Sequence, residues 1–159
     1  MKTTIITLIA IVAMAFKTNA QNSPKLIAIY RWNHGNDWVE ARQDEEANMI
    51  KFGYTNKTFV CYLFSEPQNG TVPINRWNNA RTGDWATVPE NASNDMQRFG
   101  YVSKILLGYA YSSRKQNSSA IYRWELPSTG DWVTVPASQS DKMLEFGYTH
   151  KTFVAFTPK

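Results

Sequence analysis

The chain carries one unit three times. Laid on itself at an offset of about 45 to 47 residues, IAIYRWNHGNDW aligns with VPINRWNNARTGDW and SAIYRWELPSTGDW, and NMIKFGYTNKTFVCYLF aligns with DMQRFGYVSKILLGYAY and KMLEFGYTHKTFVAFTP. The matched positions include Arg31, Arg76 and Arg123; Trp32, Trp77 and Trp124; Asp37, Asp84 and Asp131; and Trp38, Trp85 and Trp132. Further along come Met49, Met96 and Met143, Phe52, Phe99 and Phe146, and Tyr54, Tyr101 and Tyr148. Such a repeat constrains architecture more than local propensity does, because a unit too small to bury its own apolar face must bury it against its neighbours.

Each unit reads as strand, turn, strand, one or two helical turns, then a short and a longer strand, about four strands in all. AIYRW is dense in β-formers, and the Gly-Asp connections ARTGD and PSTGD supply a tight turn. In SQSDKMLEFG the spacing predicts a short helix with Met143 and Phe146 on one apolar side and Gly147 as its left-handed cap. An open solenoid needs polar end caps, and here the first and last units are as apolar as the middle one. Three such units fit closure about a pseudo-threefold axis, so the expected fold is all-β with short helices, a β-trefoil-like closed barrel, ahead of a propeller of fewer than four blades.

At YRW, TGDW and FGY the chain resembles a family of bacterial secreted repeats of unknown function, with Tyr-Arg-Trp, Gly-Asp and Gly-Tyr signatures. The resemblance covers 27–156 and implies a trefoil lectin-like module. In that family the Gly-Asp pair is often followed by His, whereas Trp38, Trp85 and Trp132 stand at that place here.

Residues 1–20 carry Lys2, a short apolar run from Ile5 to Phe16 and small residues near Ala20, the pattern of a signal peptide. The mature part is then a single three-repeat domain over 21–159, with units at about 26–70, 71–118 and 119–159, exported to the periplasm or the outside of the cell. No other segment is long and apolar enough to span a bilayer. Of 17 Lys and Arg against 13 Asp and Glu, Lys2 and Lys17 fall in the leader, so the mature charge is nearly balanced. With no basic stripe, nucleic acid is not an expected partner. The single cysteine, Cys61, forms no internal disulfide and aligns with Gly108 and Ala155, which predicts a small buried slot.

For function, the repeated motif has two readings. Trp32, Trp77 and Trp124 alternate with the arginines along a strand and are expected in the core, while Asn75, at a position that is Tyr30 and Tyr122 elsewhere, is expected near the surface. Arg31, Arg76 and Arg123 stand one turn from Asp37, Asp84 and Asp131, so each pair is expected to close an ion pair across its own hairpin. Alternatively, Asp37, Asp84 and Asp131 accept sugar hydroxyls while Trp38, Trp85 and Trp132 stack on the apolar faces of the rings. These six residues are the candidate ligand-binding set. No catalytic constellation, cofactor motif or metal-ligand spacing is present in the sequence pattern, and His34 and His150 are unmatched between units. The expected function is a secreted, non-catalytic, lectin-like module with up to three equivalent weak sites for a glycan or cell-surface polysaccharide. The alternative is a protein-binding or inhibitory module on the same scaffold.

Overall fold

The computed structural model describes residues 23–35 and 37–159, so the expected leader lies outside the described residues. Each unit contributes three strands rather than four. The first holds β1 (Leu26–His34), β2 (Asp37–Arg42) and β3 (Thr55–Phe64), with helix α1 (Glu46–Lys51) between the last two. The second holds β4 (Thr71–Asn78), β5 (Trp85–Pro89), α2 (Ser93–Arg98) and β6 (Ser103–Tyr111). The third holds β7 (Ser118–Leu126), β8 (Asp131–Pro136), α3 (Ala137–Ser140) and β9 (Thr152–Pro158).

Within each unit the first strand is central and antiparallel to both others, with Trp32 opposite Val39, Trp77 opposite Ala86 and Trp124 opposite Val133. A bulge recurs after Ile29, Ile74 and Ile121, so the register break belongs to the unit. Each second strand runs into a short helix. Pro89 and Pro136 hold the extended φ that precedes it. In the first unit Arg42 takes that place and is held by Asp44 through Nε and Nη2 and by Glu45 through its backbone N–H.

The sheet does not close into a barrel, which departs from the trefoil expectation. The three-stranded sheets join at single residue pairs, Phe64 with Tyr109 and Tyr111 with Phe156, and the ladder runs open from β2 to β8. Side chains link the units instead. Trp38 packs on the third unit's cluster of Trp124, Val133, Met143 and Tyr148, Trp85 packs on the first unit's Trp32 cluster, and Trp132 packs on the second unit's Trp77 cluster. Each unit thus inserts one tryptophan into the preceding one, and the order is cyclic.

A separate core, made of Ile29, Ile74 and Ile121 with Val60, Leu107 and Val154, joins the units at one end of the hairpins. Trp32, Trp77 and Trp124 are buried as expected. Cys61 and Ala155 are buried in matched slots, and a Cβ on Gly108 would come within 2.8 Å of both Leu63 Cβ and Phe64 O. Burial pushes the Cys61 thiol well above its usual range, which leaves it an inert apolar filler. Asn75 is a correction. It is buried, and its amide donates to Glu90 Oε2 at 2.6 Å, so a partner rather than exposure makes a polar group tolerable there.

Candidate functional site at the axial end

Asp37, Asp84 and Asp131 begin, or immediately precede, the second strands, and the cyclic arrangement brings them together. Their carboxylates offer oxygens that all lie within 4.8 Å of one another. They line a cavity of about 320 Å³ with His34, Thr82, Gly83 and Thr129 from the same three hairpin turns. The three turns converge on the axis, so the aspartates of the three units form one cluster there.

Each aspartate is anchored by the Tyr of its own Phe-Gly-Tyr segment. Tyr54 Oη donates to Asp37 Oδ2 at 3.0 Å, Tyr148 Oη to Asp131 Oδ2 at 3.2 Å, and Tyr101 Oη to Asp84 Oδ2. The second oxygens of Asp84 and Asp131 are enclosed and accept no hydrogen bond. Burial pushes all three carboxyls up. Asp84 rises to about 6, with the charge of Asp37 adding to burial, and Asp131 rises to about 7, with Asp84 and Asp37 adding to it. Carboxylates crowded in this way resist simultaneous ionisation. The same crowding favours a bound proton, a hydroxyl donor or a hard cation, and carboxylate oxygens are the ligands that Ca²⁺ and Mg²⁺ take. No spacing in the sequence announces this set, since its members come from three different units.

The arginines do not pair with these aspartates. Arg31, Arg76 and Arg123 lie instead over the rings of Trp38, Trp85 and Trp132, with Cζ 4.8, 5.0 and 4.2 Å from the ring centroids. The hairpin register is the reason: Arg31 stands opposite Glu40, Arg76 opposite Thr87 and Arg123 opposite Thr134, so the guanidinium lies well down the strand from the aspartate at its tip. Trp38, Trp85 and Trp132 are thereby engaged between a guanidinium and a neighbouring unit's apolar cluster. They serve the packing of the ring of units.

Other aromatics take the exposed position. Phe52, Phe99 and Phe146 are 63, 71 and 67% exposed, and Ile50, Val102 and Leu144 beside them are comparably open. The expected apolar helix side splits: Met49, Met96 and Met143 go inward while the phenylalanine three residues on points out. Gly53, Gly100 and Gly147, with φ near +80°, turn the chain immediately after each phenylalanine. These turns lie against the hairpins of the axial cavity. A Cβ on Gly53 would sit 3.6 Å from His34, one on Gly100 the same distance from Asn79, and one on Gly147 the same distance from Leu126, and Asn79 Nδ2 donates to Phe99 O at 3.3 Å. The end of the molecule with the carboxylates is thus also the end with three repeated, exposed phenylalanines. Their threefold match was visible in the sequence, but their outward orientation was not. Of the two histidines, His34 lines the axial cavity and His150 is an exposed partner of Glu125 at 2.8 Å.

Fold and site together define a β-rich module built from three repeats, with a cluster of carboxylates at one end. The chain belongs to the family described as Domain of unknown function (DUF5648), whose model matches residues 16–157. No curated protein and no solved structure matches it. Among the described residues no helix is long and apolar enough to cross a membrane.

Proposed function

We propose that the chain is an exported, non-catalytic carbohydrate-binding module with one axial site in place of three separate ones. Asp37, Asp84 and Asp131 accept the hydroxyls of a glycan, and Phe52, Phe99 and Phe146 supply apolar planes around them. The observation that carries this reading is the convergence of three carboxylates within 4.8 Å at the same end as the exposed phenylalanines. A sugar offers hydroxyls at its rim and C–H groups on its faces, and this end of the molecule matches both. The exposed apolar ring also favours the second reading, a protein-binding or inhibitory module, since large exposed apolar patches mark interaction surfaces.

A glycan array probed with the chain lacking residues 1–20 tests the proposal. A polysaccharide hit that Asp84→Asn weakens, with circular dichroism unchanged, is the expected result. A blank array, or binding that none of the single Asp→Asn variants alters, refutes it.

A further inference from the structure

The three stacked arginines differ in what neutralises them. Arg76, 3% exposed, is paired through its terminal nitrogens: Nη2 pairs with Glu45 Oε1 at 2.8 Å and Nη1 donates to Glu40 O at 2.9 Å. Arg123 occupies the matched place between the second and third units, yet no salt bridge reaches it. Its Nε is enclosed without an acceptor, as are those of Arg31 and Arg76, so the difference from Arg76 lies in the terminal nitrogens, where Arg123 Nη1 has only Met96 Sδ at 3.7 Å. The reason is one side chain. Glu45 closes the helical turn after β2, and the residue closing the same turn after β5 is Ala92. At the third position, four residues before Met143 as Glu45 is before Met49, stands Gln139, so of the three positions Ala92 alone lacks a polar side chain.

The missing carboxylate leaves space. A cavity of about 280 Å³ is lined by both Ala92 and Arg123, with walls from Val72, Val88 and Phe153 and polar groups from Asn91 and Thr152. Asp95 also borders it, but that side chain is mostly exposed, and its Oδ1 lies 3.8 Å from Arg98. Burial lowers the pKa of the Arg123 guanidinium, although the charges of Glu125, Glu40 and Asp84 act to raise it. A guanidinium takes a carboxylate in a forked, charge-assisted pair, and the Arg76–Glu45 contact displays such a pair in the same chain.

We infer that the cavity between the second and third units binds the carboxylate of a hexuronate, with Arg123 as its counter-ion and Phe153, Val72 and Val88 against the sugar body. The carboxylate follows from Arg123 and Ala92. The sugar rests on the glycan reading above and on polar groups beside an apolar wall. The site is distinct from the axial carboxylates, which would repel such a ligand.

The test is thermal unfolding and calorimetric titration of the chain lacking residues 1–20, with sodium glucuronate and galacturonate set against glucose, glutarate and sodium chloride at matched ionic strength. The expected result is saturable stabilisation by a uronate and not by glucose or chloride. Ala92→Glu, which rebuilds the Glu45 contact, is expected to raise Tm without ligand and to weaken uronate binding by about tenfold or more. Equal effects of uronate, glucose and chloride overturn the inference. So does a response to glutarate alone, or uronate binding that survives Ala92→Glu. A blank glycan array together with uronate binding abolished by Ala92→Glu would refute the axial proposal and leave this site standing.

Discussion

The hairpins of the three units run between two very different ends. At one end Ile29, Ile74 and Ile121 meet and are at most 2% exposed. At the other, Asp37, Asp84 and Asp131 meet. The same symmetry forces both convergences, with opposite energetic sign. Three apolar side chains brought together remove area from water, whereas three carboxylates brought together lose hydration and repel. Between them sits Glu40, where the other units have Thr87 and Thr134. It is almost fully buried and accepts from Thr87 Oγ1 at 2.7 Å and from the Thr134 backbone N–H at 2.9 Å. One carboxylate, hydrogen-bonded from both neighbours, is tolerated at the middle of the axis. The three at its tip each accept from one tyrosine hydroxyl, and their crowding is relieved by taking up protons.

If the apolar end carries the stability, Ile74→Ala should have the largest effect, a loss of about 2–5 kcal/mol in urea unfolding. A loss far below that range would mean that the ring of units is held mainly by the intercalated tryptophans. Glu40→Ala strands a buried hydroxyl and a buried N–H, and should cost about 1–3 kcal/mol by the same measurement.

The acidic end should show itself through pH. The folded-state carboxyls of Asp84 and Asp131 are raised to about 6 and about 7, against about 3.9 for an unfolded aspartate. The folded protein therefore binds more protons across that interval, and the stabilisation present below pH 4 is lost as pH rises through 7. Urea midpoints measured from pH 4 to 8 should fall through this window. Asp131→Asn should flatten the fall without abolishing it, because burial raises Glu40 in the same sense. A midpoint that climbs steadily towards pH 8 would contradict the crowding.

The smallest stability effect is expected at the rim. Phe99→Ala, at a side chain mostly in water, should change unfolding free energy by no more than about 0.5 kcal/mol. It should nonetheless weaken binding to any glycan that the array identifies. Unchanged binding would confine the site to the carboxylates.

Much of this was legible in the chain itself. Self-alignment identified the units, the core role of Trp32, Trp77 and Trp124, and the small slot of Cys61, Gly108 and Ala155, because period-two burial and tight packing act within one hairpin and leave a local trace. The glycine turns after Phe52, Phe99 and Phe146 were equally local. The partner of Asn75 was not, since burial of an amide depends on whether Glu90 reaches it.

What the sequence by itself determined is the unit and its period: three copies of a β-hairpin followed by a short helix and further strand, with an arginine and a tryptophan at fixed places. How the copies meet was decided only by tertiary structure. Aspartates from three separate turns form one site, each second tryptophan lies under an arginine and inside a neighbouring unit, and Arg76 finds Glu45 of the unit before it. The physical reason is that these contacts join residues of different copies, and a repeat pattern, identical in every copy, carries no record of which face of one copy rests on which face of the next.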